Sequence, residues 1–413
     1  MDLFEKCRAQ VEDVKQVKAA GLYPFFHEIT TRQHSEVVID GHRTIMLGSN
    51  NYMGLTSDQR VIEAAKEALE QYGTGCSGSR FLNGTLSLHV ELEKKLAEFT
   101  GFPDTMSFST GFQTNLGILA SICGRSDYIF FDRLNHASLV DAARLSFAKI
   151  SKYNHNDMDD LEKRIIAAPE DCGKLIVSDG VFSMEGDLAD LPNIVKIARK
   201  YGARIMIDDS HGLGAIGETG RGTGEYYGLM HEIDILMGTF SKSFASLGGF
   251  MASNEDVITH CRHVSRPFIF SASIPPANVA AVIKSIEIIE AEPERLDRLK
   301  KNTEYLREGY KKLGLPARDS GAPIIPIDTY TRERTLKIVK ALLDNGVYVN
   351  AVFPPAVPEG QAIIRTSLTA TMTEEQLDYA LAAFDRVFNK LLPVTSEELE
   401  IARKSHEENQ EIE

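Results

Sequence analysis

Gly238-Thr239-Phe240-Ser241-Lys242-Ser243-Phe244-Ala245-Ser246-Leu247-Gly248-Gly249-Phe250 follows the apolar run Ile235-Leu236-Met237 and decides how the chain is read. An apolar strand ends here in a lysine crowded by hydroxyls, small side chains and glycines. Burying an ammonium is costly, so a lysine that enters a strand-end pocket tends to lose its proton. The neutral amine is then a nucleophile and a base, able to form a Schiff base with a carbonyl group. Most of the 45 Lys and Arg residues must be surface charge, so the run needs support from its surroundings.

Working outward, short apolar runs recur between helical patterns from about residue 105 to residue 253. They are Met106-Ser107-Phe108-Ser109, Tyr128-Ile129-Phe130-Phe131, Leu175-Ile176-Val177-Ser178, Ile205-Met206-Ile207-Asp208, Ile235-Leu236-Met237-Gly238 and Gly249-Phe250-Met251-Ala252. Strands buried on both faces read this way. Between two of them, Pro192 opens a segment with Ile194, Ile197, Ala198 and Tyr201 on one face, and Gly202 closes it. Helix start and stop signals therefore complete a βαβ unit. The repetition predicts an α/β domain with a mostly parallel sheet, its ligand beyond the carboxyl ends of the strands.

A charged helical stretch from about residue 291 to 313 leads into a smaller α+β region with the strand candidates Ile324-Ile325-Pro326-Ile327, Val347-Tyr348-Val349 and Ile363-Ile364-Arg365. A helix over 374–391 follows, with Thr373 and Gln376 at capping-box spacing. The expected division is an N-terminal segment, 1–45, packing with the small domain; a large domain, 46–290; the small C-terminal domain, 291–393; and a charged tail, 394–413. Leu3, Phe4, Cys7, Val11 and Val14 fall at near-helical spacing, as in an arm packed on the body or on a partner subunit.

The composition is that of a globular protein with 413 residues, 43% of them apolar, enough to bury a large core. A formal charge of −14 and the lack of a dense basic block argue against nucleic acid as a partner. No run approaches the ~18 apolar residues of a spanning helix and the start lacks a signal-peptide pattern, so a cytoplasmic location is expected. Peripheral membrane contact stays open. Cys7, Cys76, Cys123, Cys172 and Cys261 are odd in number and widely spaced, as in reduced thiols. Neither a disulfide framework nor a metal site is expected.

Two glycine runs match the Gly-x-Gly-x-x-Gly spacing of dinucleotide folds, but neither has the right context. Gly73, Gly75 and Gly78 follow a helical pattern, and Gly212, Gly214 and Gly217 continue into Glu218-Thr219-Gly220-Arg221-Gly222, which cannot start a crossover helix. A nicotinamide dehydrogenase is thereby disfavoured. Strand ends carry the stronger signal. Ser109-Thr110-Gly111-Phe112-Gln113-Thr114-Asn115 resembles a helix start whose free amides could bind phosphate. Asn135-His136, Ser183, Asp208-Asp209-Ser210-His211 and Thr239, Ser241 and Lys242 end other strands. Each is more often structural than functional when taken alone. Converging on one crevice, an anion nest, a carboxylate, histidines, hydroxyls and a lysine suit pyridoxal phosphate, which needs an amine for its aldehyde, a cradle for its phosphate and a carboxylate for its ring nitrogen.

At this point the chain resembles a known family. Thr239-Phe240-Ser241-Lys242, Asp208-x-x-His211, Asn135-His136-Ala137-Ser138, Gly180-Val181-Phe182-Ser183-Met184-Glu185-Gly186-Asp187 and Gly48-Ser49-Asn50-Asn51-Tyr52-Met53-Gly54-Leu55 resemble, in the same order, motifs of the α-oxoamine synthases, fold-type I pyridoxal-phosphate transferases. The resemblance runs from about residue 21 to residue 391. It implies a large domain with a mostly parallel seven-stranded sheet, a smaller α+β domain, and a homodimer with shared active sites. The run from Tyr72 to Thr85, with the Gly-Thr-Phe-Ser-Lys-Ser form of the lysine motif, is most similar to the bacterial branch that condenses L-serine with palmitoyl-CoA to 3-ketodihydrosphingosine, CoA and CO2.

By the same resemblance, Lys242 is the Schiff-base lysine and Cα base, Asp208 the partner of the ring nitrogen, His211 a donor to the ring hydroxyl, and His136 the residue that stacks on the ring and touches the substrate carboxylate. Gly111, Phe112, Thr239 and Ser241 hold the phosphate, with a hydroxyl from Ser271 or Ser273 of the other subunit, and Ser183 lies beside the cofactor. Asn51 and Arg365 join His136 in binding a small L-amino acid, while an acyl-CoA or acyl-carrier protein brings the acyl group. The sequence departs from the family in two places. Asp209-Ser210 replaces the more usual Glu-Ala, and Met372 stands where a histidine commonly follows the Arg365 segment, near the amino-acid pocket. Relatives that use cysteate, or glycine with acetyl-CoA, are the nearest alternatives. A noncatalytic regulatory paralogue is opposed by Lys242 itself.

Overall fold

The computed structural model describes residues 2–404 apart from 355, 358, 359 and 402. Its large sheet has seven strands: β1 (Asp104–Phe108), β2 (Tyr128–Asp132), β3 (Lys149–Tyr153), β4 (Lys174–Asp179), β5 (Arg204–Asp208), β6 (Ile235–Thr239) and β7 (Gly249–Ser253). They lie in the order β1-β7-β6-β5-β4-β2-β3. All neighbours pair in parallel except β7, which is antiparallel to both β1 and β6. The sequence reading missed β3. It is an edge strand, and its exposed Lys149, Ile150 and Lys152 lack the continuous apolar signature of strands covered on both faces.

Helices cover the sheet where their signals predict. Leu191–Tyr201 starts on Asp190, whose side chain accepts from the amide of Asn193, and ends on Gly202 in the left-handed conformation. Gly111–Ile122 begins directly beyond β1, with the Thr110 hydroxyl accepting from the Gln113 amide. The register of β4 against β5 sets Asp179 opposite Asp208, so two carboxylates end side by side.

A second sheet joins Ile324–Tyr330, Ala362–Ser367 and Asn350–Val352, all antiparallel. A third pairs Glu36–Ile39 with His42–Met46, and the latter runs parallel to Val347–Tyr348. The early chain thus bonds to the same region as the late chain. One apolar core runs through Leu47, Phe182, Phe240, Leu306, Leu368 and Phe384. The N-terminal helix Glu5–Ala19 is tied to the body by Arg332 pairing with both oxygens of Asp13, and it leaves Leu3, Phe4 and Val11 exposed.

The expected helix over 374–391 keeps its Thr373/Gln376 capping box but changes character. It is α-helical from Glu374 to Phe384 and π-helical from Asp385 to Leu391, and Leu391 is exposed rather than on the buried face. The tail is helical from Ser396 as far as it is described, and residues 405–413 lie outside the described residues. No helix among the described residues is long and apolar enough to cross a membrane.

Candidate active site

A cavity of about 230 Å³ opens at the carboxyl ends of β4, β5 and β6. Lys242, Asp208, His211, His136 and Ser183 line it together. So do Gly111, Phe112, Thr239 and Ser241, from the start of the Gly111–Ile122 helix and the end of β6.

Lys242 is partly accessible through this cavity. Burial brings its amine down to about 8, against the pull of the carboxylates of Asp208 and Asp179. Such an amine is neutral often enough near physiological pH to act as nucleophile and base. Asp208 is 5% exposed and accepts on both oxygens. Oδ1 takes the Ser210 hydroxyl at 2.5 Å and the Ser210 amide at 3.1 Å, and Oδ2 takes Asn115 Nδ2 at 2.7 Å. These neutral donors orient the carboxylate toward the cavity without neutralising it.

His211 is held well below the usual imidazole range first by burial and then by the positive charges of Lys242 and Arg365. It is therefore neutral, and its tautomer follows from its neighbour. Tyr52 lies 2.7 Å from Nδ1, and burial raises the phenol, so it keeps its proton; Oη already accepts from Arg365 Nη2 at 3.4 Å, and its proton goes to the close Nδ1 in preference to Asn50 Oδ1 at 3.5 Å. Nδ1 accepts, and the ring proton is left on Nε2 as a donor. His136 caps the helix Ala137–Ser146, its backbone amide donating to Asp179 Oδ2 at 3.0 Å and its Nδ1 lying 2.7 Å from the Ser138 hydroxyl.

The opposite end of the cavity is a cradle for an anion. The first amides of Gly111–Ile122 are free of the helix's own ladder, and Thr239 and Ser241 place their hydroxyls 3.0 Å apart beside them. A Cβ added at Gly111 would stand 2.9 Å from Thr239 Oγ1, so the absence of a side chain keeps the cradle open. Amine, carboxylate, neutral donor and anion cradle match the functional groups of pyridoxal phosphate, and the residues present fit it. No cluster of His, Cys, Asp and Glu among the described residues could hold a metal.

Other predicted residues lie elsewhere. Arg365 is 4% exposed and does not line the cavity. It donates from Nε to the Ser183 carbonyl, from Nη1 to Ser367 at 2.7 Å, and from Nη2 to Asn50 Oδ1 at 3.0 Å and Tyr52 Oη at 3.4 Å. Asn51 is turned away: its amide bonds Thr56 Oγ1 at 2.8 Å, and its neighbour Asn50 makes the contact with Arg365. The two asparagines are adjacent in sequence, and only the local turn decides which faces inward. Ser271 and Ser273 also stay outside the protomer's own cavity, Ser271 accepting from Gln113 Nε2 at 3.1 Å and Ser273 donating to the Gly78 carbonyl at 3.1 Å. The Met372 side chain is packed in the apolar core and does not line the cavity.

Sequence reasoning missed Asn115, Asp179 and Tyr52. Asn115 stands one turn into the helix whose start was read as the phosphate nest, on the face that Gly111 shares at i+4. Asp179 ends an apolar run just as Asp208 does, and that signal was available. Burial and the neighbouring Asp208 push its carboxyl well above the ordinary range.

Residues 43–384 match the family model for aminotransferase class I and II. The serine palmitoyltransferase of Sphingobacterium spiritivorum is 50% identical over 377 residues, covering 91% of this chain and 94% of that protein. The serine palmitoyltransferase of Bacteroides ovatus is 47% identical over 391 residues, covering 95% of this chain and 99% of its own length. A solved SPT structure holding PLP superposes with a TM-score of 0.91 at 38% identity, over 94% of this chain and 98% of that one. With its lysine, carboxylate and anion cradle on one parallel sheet, the chain belongs to the aminotransferase class I and II family and, within it, to the pyridoxal-phosphate-dependent α-oxoamine synthases.

Proposed function

We propose that the protein condenses L-serine with the acyl group of palmitoyl-CoA, releasing CO2 and CoA and forming 3-ketodihydrosphingosine. The observation that carries this reading is the Lys242 amine, brought down to about 8 inside a cavity that also presents Asp208, His211 and the Gly111 cradle. Serine and palmitate as the substrates rest on the likeness to serine palmitoyltransferases across more than nine tenths of the chain.

When bound, pyridoxal phosphate supplies an aldehyde for the substrate's amino group and a ring that draws off the electron pair left at Cα. The chain's own residues do the rest. Asp208, fixed by Ser210 and Asn115, keeps a negative charge against the ring nitrogen. His211 would donate its Nε2 proton to the ring hydroxyl. Gly111 and Phe112, with Thr239 and Ser241, hold the phosphate. Lys242 would hold the aldehyde carbon when the cofactor is bound, and as a free amine it would take the Cα proton of the amino acid. Cα then bonds to the thioester carbonyl carbon as the CoA sulfur leaves with its electron pair. The bond from Cα to the carboxylate breaks as CO2 departs, and a proton takes its place.

Arg365 receives the amino acid's carboxylate, for which its planar fork is suited, by exchanging contacts it now makes with Asn50 and Tyr52. The site is shared in a dimer, where a hydroxyl of Ser271 or Ser273 from a second copy closes the phosphate cradle. The protein works in the cytoplasm, with the membrane touched at most from outside.

Purified protein is expected to be yellow, and borohydride to fix the cofactor to Lys242. Titrating serine, cysteate, glycine and alanine while following the cofactor's visible spectrum, then assaying each with palmitoyl-CoA and acetyl-CoA, tests the substrates. Response to glycine alone, with turnover only of acetyl-CoA, would overturn the assignment.

A further inference from the structure

His155 stands outside the cavity, between two carboxylates. Its Nε2 lies 2.8 Å from Asp187 Oδ2, and its Nδ1 lies 3.1 and 3.2 Å from the two oxygens of Asp132. Asp132 also accepts the backbone amides of Leu134 at 2.9 Å on Oδ1 and Asn156 at 3.0 Å on Oδ2, so both its oxygens act as acceptors. A neutral imidazole has one N–H and would turn a lone pair toward one of these carboxylates. Both ring nitrogens therefore carry protons. Burial alone would lower the group, but the hydrogen bonds and charges of Asp132 and Asp187 outweigh it and lift His155 to about 10.

This imidazolium joins two walls of the active site. On one side Asp132 ends β2 and starts the turn to His136, with the Asn135 amide donating to the Asp132 carbonyl at 3.1 Å. On the other, Asp187 closes the loop that carries Ser183, with the Phe182 amide donating to the Asp187 carbonyl at 3.0 Å. The His155 ring also meets Phe182 edge-on, 4.3 Å between centroids. Phe182 directly precedes Ser183, whose carbonyl receives Arg365 Nε. We infer that His155 is a positioning residue for substrate binding: as a partly buried cation held between two carboxylates it pins the Ser183 loop, and through it Arg365, to the strand end that presents His136. The inference rests on Arg365 being the carboxylate-binding residue of the proposed function.

The groups facing the ring are Asp132 from the end of β2 and Asp187 from the loop. Glu185 on the same loop lies within charge reach of it, its carboxyl raised by burial. Asn156 and Phe182 add no charge. Because a carboxylate faces each ring nitrogen, the imidazole holds its proton through the pH range where an ordinary histidine loses it.

The test uses the holoenzyme with isotope-labelled histidines. In the wild type, one imidazole signal is expected to stay in its charged form from about pH 5.5 to about pH 9, and to vanish in H155Q. Loading with cofactor should survive in H155Q, while the serine dissociation constant, read from the visible spectrum, rises by about tenfold to a hundredfold, as expected for a misplaced binding group. The KM for palmitoyl-CoA should stay unchanged. A general loss of fold would instead lower cofactor loading and raise both constants. If H155Q does not fold, D187N carries the same measurements, with an expected fall in the His155 titration point and weaker serine binding. A His155 signal that titrates near the ordinary imidazole value, or variants that bind serine as the wild type does, would overturn the inference. A wild type that ignores serine but answers another amino acid would overturn the substrate reading instead, and that amino acid then serves as the probe for His155.

Discussion

Tyr52 and His211, 159 residues apart in sequence, meet at 2.7 Å between the phenol oxygen and Nδ1. That bond settles which imidazole nitrogen carries the proton aimed into the cavity. Tyr52→Phe would leave Nδ1 without its donor and take an acceptor from Arg365 Nη2. A buried group left unpaired costs about 1–3 kcal/mol, to be read from denaturant melts. With His211 free to adopt either tautomer, kcat should fall by about tenfold, less than the 10²–10³ typical of losing a donor that itself touches the reacting group. An unchanged kcat would show that the tautomer is fixed by something other than Tyr52.

Burial of Lys242 has a measurable consequence in the cofactor-free protein. Its folded value, about 8, lies below the 10.5 of an ordinary lysine. Below about pH 8 the lysine is charged in both states, and the folded state bears the full penalty. Between about 8 and 10.5 the unfolded state binds more protons, so stability rises with pH. The apoprotein of Lys242→Met should therefore be more stable than wild-type apoprotein at pH 7, by up to about 3 kcal/mol. The gap should close as pH rises toward 10.5. Paired melts at both pH values check it, and a gap that widens would contradict the buried amine.

The fold and the cofactor chemistry were legible because both leave strong marks on short segments. Continuous apolar runs ending in Asp208 or in Thr239-Phe240-Ser241-Lys242 can hardly be anything but buried strands that deliver side chains to one edge. What stayed hidden depends on contacts between distant segments. Asn50 and Asn51 are chemically identical, and only the bond of Asn51 to Thr56 turns one away and leaves the other to Arg365. β3, Lys149-Ile150-Ser151-Lys152-Tyr153, mixes lysines and a serine with apolar residues because it lies at an edge, so its pattern resembles a surface loop. His155 gains its role from carboxylates 23 and 32 residues away, which no local window brings together.

Gly111 tests the anion cradle. In Gly111→Ala the new Cβ would sit 2.9 Å from Thr239 Oγ1 and 3.0 Å from its Cβ, tighter than normal contact, where Thr239 is itself held by the Gly248 carbonyl at 3.0 Å. Overpacking of this kind costs about 1–3 kcal/mol, to be read from denaturant melts of the apoprotein, and it pushes Thr239 out of the position that completes the cradle. Cofactor should therefore dialyse away at least about tenfold more readily, measured as loss of visible absorbance. Retained cofactor would place the phosphate elsewhere.

Asp209, one of the two departures from the family pattern, is fully buried and holds Thr223 by its amide at 2.6 Å and its hydroxyl at 2.7 Å. Burial raises its carboxyl to about 6. Three glycines converge on it: a Cβ at Gly180, Gly212 or Gly222 would lie 2.4, 2.0 or 2.0 Å from a carboxylate oxygen. Gly222 also sits at φ +90, where a side chain is strained in any case. Gly222→Ala should thus destabilise by more than about 3 kcal/mol, the collision adding to the backbone term. The two causes can be separated. In Asp209→Ala the carboxylate is gone, so adding Gly222→Ala should cost only the backbone part, and the double-mutant cycle should show coupling of at least about 1 kcal/mol. Additive losses in denaturant melts would mean that the carboxylate moves aside at no cost and that the glycine cage does not hold it.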